Sequence, residues 1–330
     1  MAISGQPDFQ AELRDRRARI ETALESAPEA AHLRQLLEEV DAALVRIDGG
    51  SYGKCESCHD AIEEDRLMVD PLIRTCLDHL NTAERRALER DLDLAARVQN
   101  GLLPKQDLRL GGWEAAYHYE PASQVSGDYC DLVASDGDGG DLFFLIGDVS
   151  GKGVAASMLM TGLRAIVRTL VGTGLPVSGL MERANRLFCE SLPSAHFATL
   201  VCGRADRSGR VEICNAGHPP PLLVRRGRVL AIEATGLPLG LFCSGGYPVA
   251  THHLEPDDAL LLYTDGLSEA RNRAQAEYGA ERLARLAAER HALAPKALLH
   301  ACLDDLAAFR AGSPKGDDLT LMAIRRARRE

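Results

Sequence analysis

DLFFLIGDVSGKG, residues 141–153, carries a strand, an acidic residue and the start of a helix in one short stretch. Leu142 to Ile146 is an apolar run bounded by turn residues, which reads as a strand over 141–147. Asp148 follows at once. Gly151 and Gly153 then open a helix over 154–171, and a glycine-rich helix start presents free N–H groups to an anion. Working outward, residues 113–120, 197–204, 210–214, 259–263 and 319–324 also read as strands separated by turns. Residues 153–171, 177–191, 280–290 and 295–310 carry helical patterns. This order predicts antiparallel sheets with helices added, an α+β layered domain.

The composition is that of an ordinary globular chain: 330 residues, 45% hydrophobic and 26% charged, enough for about two domains. The net charge of −10 is uneven. Residues 1–100 hold 13 Lys and Arg against 21 Asp and Glu, whereas residues 101–330 hold 25 against 27. Phosphate backbones require a cationic surface, so the acidic first third argues against a nucleic-acid ligand. No apolar stretch is read as reaching the ~18–20 residues that span a bilayer, and the first ten residues lack a signal pattern, so the expected location is the cytoplasm, with no membrane partner.

Residues 8–47 predict two helices. Phe9, Leu13, Ile20 and Leu24 lie near one face of the first, and Leu33, Leu36, Leu37, Val40, Leu44 and Ile47 form a stripe on the second. The break at Ser26-Ala27-Pro28 makes them an antiparallel hairpin. Residues 51–80 hold too little apolar material to fold unaided, so something must cross-link them. Cys55-x2-Cys58 and, after seventeen residues, Cys76-x2-His79 have the spacing of a tetrahedral zinc site, with His59 as a competing ligand. Four protein ligands leave no open coordination position, which makes one Zn²⁺ here structural or sensory. The other six of the nine cysteines read as small core residues in a reducing compartment. Residues 82–103 predict a single helix. Leu88, Leu92, Ala95, Gln99 and Leu102 form a heptad seam with one polar position, so a homodimer is expected.

Four acidic motifs are spread over the second half: Ser126-Gly127-Asp128-Tyr129-Cys130-Asp131, Gly147-Asp148-Val149-Ser150, Tyr263-Thr264-Asp265-Gly266, and Gly316-Asp317-Asp318-Leu319-Thr320. An aspartate beside glycine at a strand end is often only a turn former. Four together fit a site for hard divalent cations, since two neighbouring metals need several carboxylates and at least one bridge.

Two resemblances follow from these residues. Residues 40–80, with Arg46-Ile47-x2-Gly50-x-Tyr52-Gly53-x-Cys55, Ile62-x3-Arg66-Leu67 and Thr75-Cys76, resemble a DksA/TraR-type zinc finger in which His79 stands for the usual fourth Cys. That family enters the secondary channel of RNA polymerase with a long hairpin. The short arms and altered tip here argue against such docking, and leave a zinc-finger transcription regulator as the alternative function. Residues 88–326 resemble the metal-dependent Ser/Thr protein phosphatase (PPM) family, in its SpoIIE-like and RsbU-like branch. The matching residues are the four acidic motifs, Leu102-Leu103-Pro104, Asn215-Ala216-Gly217-His218-Pro219-Pro220 and Leu237-Pro238-Leu239-Gly240.

The resemblance implies a helical hairpin and zinc finger over 1–80, a helical linker over 81–104, and over 105–330 an α/β/β/α sandwich of two antiparallel sheets flanked by helices. It implies two Mn²⁺ or Mg²⁺ ions. Asp148 bridges them, the Val149 carbonyl contributes to one, Asp265 and Asp317 bind opposite, and Asp128 completes the shell. Asp318 is the alternative to Asp317. Lys152, with Gly151 and Gly153, is a candidate for holding the substrate phosphate, or else a solvated turn residue. Asn215 and His218 are expected to shape the neighbouring loop. The implied substrate is a phosphorylated protein, by analogy with the branch an anti-anti-sigma factor of the STAS fold.

Overall fold

A computed structural model describes residues 9–26, 30–79, 82–135, 140–191 and 196–328. The residues read as the hairpin tip, 27–29, lie outside these. The chain divides into two compact units, Met1–Asp91 and Leu92–Glu330.

In the first unit, α1 (Phe9–Ser26) and α2 (Ala31–Asp48) are the expected hairpin. Leu13, Ile20, Val40 and Ala43 are buried between the helices, with Leu24, Leu33, Leu36, Leu37, Leu44 and Ile47 around them. Arg17 Nε donates to Asp41 at 2.6 Å across the pair. After the turn at Gly49-Gly50 the chain has little regular structure apart from the one-turn helix α3 (Glu64–Val69) and a 3-10 turn at Leu77–His79. Ile62 and Leu67 are buried beside Cys55 and Cys76, and Arg66 donates to the Thr75 carbonyl at 2.8 Å. The residues between the two cysteine pairs thus pack one pair against the other.

α4 (Thr82–Leu102) leads into the sandwich. One sheet has the order β1-β2-β11-β10-β7-β8, the other β3-β4-β5-β6-β9, and every pairing between neighbouring strands is antiparallel. The strands of the first sheet are β1 (Asp107–Leu110), β2 (Trp113–Glu120), β7 (Leu222–Arg225), β8 (Arg228–Ala231), β10 (Ala259–Tyr263) and β11 (Leu319–Arg326). Those of the second are β3 (Asp128–Ala134), β4 (Leu142–Val149), β5 (Ala198–Ala205), β6 (Arg210–Ala216) and β9 (Ala250–His253).

Side chains alternate across each strand. Leu142, Phe144 and Ile146 of β4 meet Leu260 and Leu262 of β10 and Met322 and Ile324 of β11 in the layer between the sheets. Phe143 and Leu145 point the other way, into a layer with α5 (Gly153–Val171) and α6 (Val177–Ser191). Leu261 and Tyr263 face α8 (Ala280–Glu289) and α9 (Pro295–Arg310). Central strands buried on both faces read as unbroken apolar runs for this reason. The result is the α/β/β/α layering expected.

α5 is long and apolar enough, by length and composition, to cross a membrane, which differs from the sequence reading. Here it is a core helix. Met160, Leu163, Val167 and Leu170 face the sheet, and Arg168 holds the fully buried Asp131 of β3 at 2.6 and 2.8 Å.

Candidate functional site

The acidic motifs meet at one end of the sandwich because the strands carrying them end there. Asp128 opens β3 and lies directly across from Asp148 near the end of β4, with Thr199 of β5 beyond. In the other sheet, Asp265 follows β10 and starts the short helix α7 (Asp265–Ser268), and Asp317-Asp318 immediately precede β11.

Each carboxylate is held differently. Asp128 is buried, and its Oδ2 accepts from Thr264 Oγ1 at 2.9 Å and Thr320 Oγ1 at 2.5 Å. Both threonines belong to the opposite sheet, so this carboxylate pins the two sheets together. Burial pushes its carboxyl well above the usual range; the Thr320 hydroxyl opposes the shift and Asp148 and Asp318 add to it. Asp318 accepts from the Ala122 N–H at 2.7 Å with one oxygen and from the Gly127 N–H at 2.9 Å with the other, and so ties the loop before β3 to β11. Asp317 is exposed and accepts from Lys152 Nζ at 2.9 Å.

Asp148 is raised to about 7, by burial first and then by the charges of Asp265, Asp317 and Asp318. Asp265 is raised by burial and by Asp317. Carboxylates that raise one another this way form a pocket of concentrated negative potential.

This packing requires glycine at 266 and leaves little room for a side chain at 127. A Cβ on Gly266 would lie 1.8 Å from the Asp318 carbonyl oxygen, and one on Gly127 would sit 3.1 Å from Asp148 Oδ1. Gly151 and Gly153 take φ of +104° and +72°, so the turn that presents Lys152 depends on glycine.

Sequence reasoning missed several partners. Thr264 and Thr320 stand inside the quoted motifs, but their inward hydroxyls become visible only once the two sheets face each other. Asn215 and His218 form a closed clasp: Asn215 Oδ1 accepts from the His218 N–H at 2.8 Å, and Asn215 Nδ2 donates to the His218 carbonyl at 3.0 Å. His218 Nδ1 is 2.9 Å from Thr199 Oγ1, and burial lowers the imidazole to about 3, so it is neutral. Gln99 is a correction to the heptad reading. It is buried in its own domain, where Nε2 donates to the Ser126 carbonyl at 2.7 Å and Oε1 accepts from the Ser126 N–H at 3.0 Å. Ser126 Oγ in turn accepts from the Asp128 N–H at 3.0 Å. The amide is fully engaged within its own chain and cannot set the register of a seam.

The second cluster is tighter. Among the described residues, the one group of three or more His, Cys, Asp or Glu residues found placed to hold a metal ion is Cys55, Cys58, Cys76 and His79, whose ligand atoms lie within 4.8 Å of one another. The aspartates are spread more widely. The Cys58 and Cys76 sulfurs are 3.7 Å apart, close to the ~3.8 Å edge of a tetrahedron with ~2.3 Å Zn–S bonds. Cys76 Sγ and His79 Nδ1 are 3.2 Å apart. Cys55 is lowered to about 6. Burial opposes the ionised form, but the backbone N–H groups of Cys76, Cys58 and Ser57 outweigh it. His59 sits in the first knuckle's turn at φ 64°, outside the group. This Cys3His cluster fits a zinc ion.

Comparison with known proteins finds relatives for both halves of the chain. Residues 50–78 match the prokaryotic dksA/traR C4-type zinc finger family. The Synechocystis protein IcfG is 27% identical over 265 residues, covering 72% of this chain and 41% of IcfG. Phosphoserine phosphatase RsbU of Bacillus subtilis is 27% identical over 187 residues, covering 56% of this chain and 55% of RsbU. The chain thus spans about half the length of these relatives. The crystal structure of the RsbU and RsbW domains of Rv1364c from Mycobacterium tuberculosis aligns with TM-score 0.58 and 33% identity over 68% of this chain and 62% of that one. Residues 138–327, more than half of the chain, match the stage II sporulation protein E (SpoIIE) family, and the chain belongs to that family.

Proposed function

We propose that the chain is a metal-dependent phosphoserine/phosphothreonine protein phosphatase with a zinc-binding N-terminal unit. The observation that carries this reading is the convergence, from both sheets, of Asp128, Asp148, Asp265 and Asp317-Asp318 on one strand-end cluster, where burial and neighbouring aspartates raise the carboxyls of Asp128, Asp148 and Asp265. Such a set of hard oxygen donors suits divalent cations. In this reading two Mn²⁺ or Mg²⁺ ions are held by Asp148, Asp265 and Asp317, with Asp128 and the Val149 carbonyl, and would supply Lewis acidity to the phosphoryl oxygens and a more acidic water. Asp317 is preferred to Asp318, because both Asp318 oxygens already accept loop N–H groups.

The chain's own residues do the positioning. Asp128, pinned by Thr264 and Thr320, fixes the spacing of the two sheets at the site. The Thr199 hydroxyl lies 3.4 Å from the Asp148 carbonyl oxygen and orients that strand end. Lys152, exposed beside Asp317, is placed to turn its ammonium to a phosphate oxygen, and Gly151 and Gly153 flank it at the start of α5, where a helix end offers N–H groups to an anion. The name of the relative RsbU supports phosphoserine as substrate. The finer expectation is a phosphorylated regulatory protein, an anti-anti-sigma factor of the STAS fold. Cys55, Cys58, Cys76 and His79 would hold one structural Zn²⁺. The homodimer remains part of the proposal, but the apolar stripe available to it on α4 is Leu94 and Val98, exposed one turn apart.

The test is Asp148→Ala. Mn²⁺-dependent hydrolysis of p-nitrophenyl phosphate and of phosphorylated STAS proteins from the same genome should be nearly abolished, with the circular dichroism spectrum unchanged. Near wild-type turnover would sink the two-metal reading.

A further inference from the structure

Asn185 of α6 is buried and spends its whole amide on one loop. Its Nδ2 donates to the Phe242 carbonyl at 2.7 Å, and its Oδ1 accepts from the Gly240 N–H at 2.9 Å. This clamp seats residues 240–242 on α6. One helical turn beyond Asn185, on the same face, stands Cys189. The residue after the clamped Phe242 is Cys243. The clamp thus brings the two cysteines to one edge of the loop, near enough for Cys243 to raise the Cys189 thiol.

The loop has fixed ends and a free middle. Leu239 is bridged to Ala198 by two backbone hydrogen bonds of 2.8 and 2.9 Å, and Tyr247 is buried, while residues 241–246 are all exposed. Cys243 is therefore reachable from solvent, and Cys189 is half-buried against it. The other cysteines of this unit, Cys130, Cys202, Cys214 and Cys302, are buried.

We propose that Cys189 and Cys243 form a modification site, a reversible intrachain disulfide made by hydrogen peroxide. The Cys243 thiolate attacks one peroxide oxygen, the O–O bond breaks, and Cys243 sulfenic acid and hydroxide (water, once protonated) are formed. The Cys189 sulfur then attacks the sulfenic sulfur, the S–O bond breaks, and the departing oxygen leaves as water with the Cys189 proton. Two thiols are oxidised by two electrons and one peroxide is reduced to two waters. A dithiol reverses the step by exchange. The roles are set by access. Burial and the adjacent Cys243 push Cys189 up to about 11, so it waits as a thiol while the exposed Cys243 reacts first. The approach from contact to an S–S bond of ~2.05 Å falls on the exposed residues 241–246.

The experiment uses the full zinc-loaded chain, treated with hydrogen peroxide, alkylated, and mapped without reduction. Trypsin leaves Cys189 and Cys202 in one peptide, 187–204, so chymotrypsin is added to separate them. The expected result is one new peptide linking Cys189 to Cys243, with alkylation lost at both and restored by dithiothreitol. Cys243→Ser should leave Cys189 fully alkylated, and Cys189→Ser should leave a Cys243 sulfenic acid that dimedone traps. Cys243 converted to sulfinic or sulfonic acid while Cys189 stays alkylated would overturn the proposal. So would cross-links confined to Cys55, Cys58 and Cys76.

Discussion

Gln99→Leu tests how the loop before Asp128 is held. The substitution keeps most of the side-chain volume and deletes both groups that satisfy the Ser126 backbone. Gln99 is 5% exposed and Ser126 0%, so water cannot replace the amide. A buried N–H or C=O left without a partner costs about 1–3 kcal/mol, and two are stranded here, against which the leucine recovers about 1 kcal/mol of apolar burial. The net expectation is a loss of about 1–5 kcal/mol in the stability of the second unit. Gln99→Glu should also destabilise it, because the acceptor for the Ser126 N–H survives but the donor to its carbonyl is replaced by a buried charge. Trp113, the chain's one tryptophan, is buried in β2, so its fluorescence during urea unfolding follows this unit alone. The Asp128 N–H bonds to Ser126 Oγ, so Mn²⁺-dependent turnover should fall even where the variant is folded. An unchanged urea midpoint and unchanged turnover in Gln99→Leu would refute the reasoning.

Three further outcomes are expected. The purified chain should carry close to one tightly held zinc, lost in Cys55→Ser with Cys76→Ser, and elemental analysis showing unchanged zinc in that double variant would remove the ligand assignment. Arg168→Met leaves the fully buried Asp131 with Arg164, 3.7 Å away, for a cation and with the neutral donors Tyr129 Oη and the Leu132 N–H. It should cost about 2–3 kcal/mol, below the usual ~3–5 for breaking a buried pair because Arg168 is itself partly exposed; a urea midpoint within error of wild type would contradict this. His218 is held neutral, with its folded value near 3 against an ordinary 6.5, so the unfolded chain alone takes up a proton in between. Stability should therefore fall as pH drops from about 6.5 toward 3, by up to ~1.4 kcal/mol per pH unit, and His218→Gln should flatten that slope.

The elements that the sequence made legible are those with enough length to show a period. The helices over 153–171, 177–191 and 295–310 and the strands over 113–120 and 259–263 have the bounds read from the apolar pattern. β3 was missed because its first residues were read as a carboxylate motif, although Tyr129 and Cys130 face opposite layers as a strand requires. β1, β7, β8 and β9 have four residues each, too few for alternation to stand out. At the site, the carboxylates were visible as motifs and their tethers were not. Thr320 lies 192 residues from Asp128, and Ala122 196 residues from Asp318, so no local window holds either pair. Gln99 failed for a related reason. A heptad identifies a buried face but not what buries it, and here the partner is a loop backbone rather than a second helix.

The contrast between Asp128 and Asp131 argues most directly for a cation at the strand ends. They stand three residues apart in one motif, on one strand, and both are buried. Asp131 receives Arg168 in a two-pronged contact with Arg164 behind it. A buried carboxylate that serves structure is neutralised by the protein itself in this way. Asp128 receives only two neutral hydroxyls, and its charged neighbours are Asp148 and Asp318. Among the described residues, no basic side chain lies within 4.0 Å of the carboxylates of Asp128, Asp148, Asp265 or Asp318; of the five aspartates only Asp317 has an ion pair, with Lys152, both largely solvated and so worth little. A fold that supplies two guanidiniums to one aspartate and none to the cluster beside it keeps that cluster electron-rich against the cost of burial. Protonation, as the raised Asp128 and Asp148 carboxyls favour, or a bound cation relieves the repulsion within that cluster, and the oxygen donors suit a hard divalent ion. The same logic separates Asp317 from Asp318. Asp318 accepts loop N–H groups with both oxygens, whereas Asp317 accepts the Asp318 N–H with one oxygen and with the other pairs only with the exposed Lys152, which in the proposed function would turn to the phosphate and leave that oxygen to a metal.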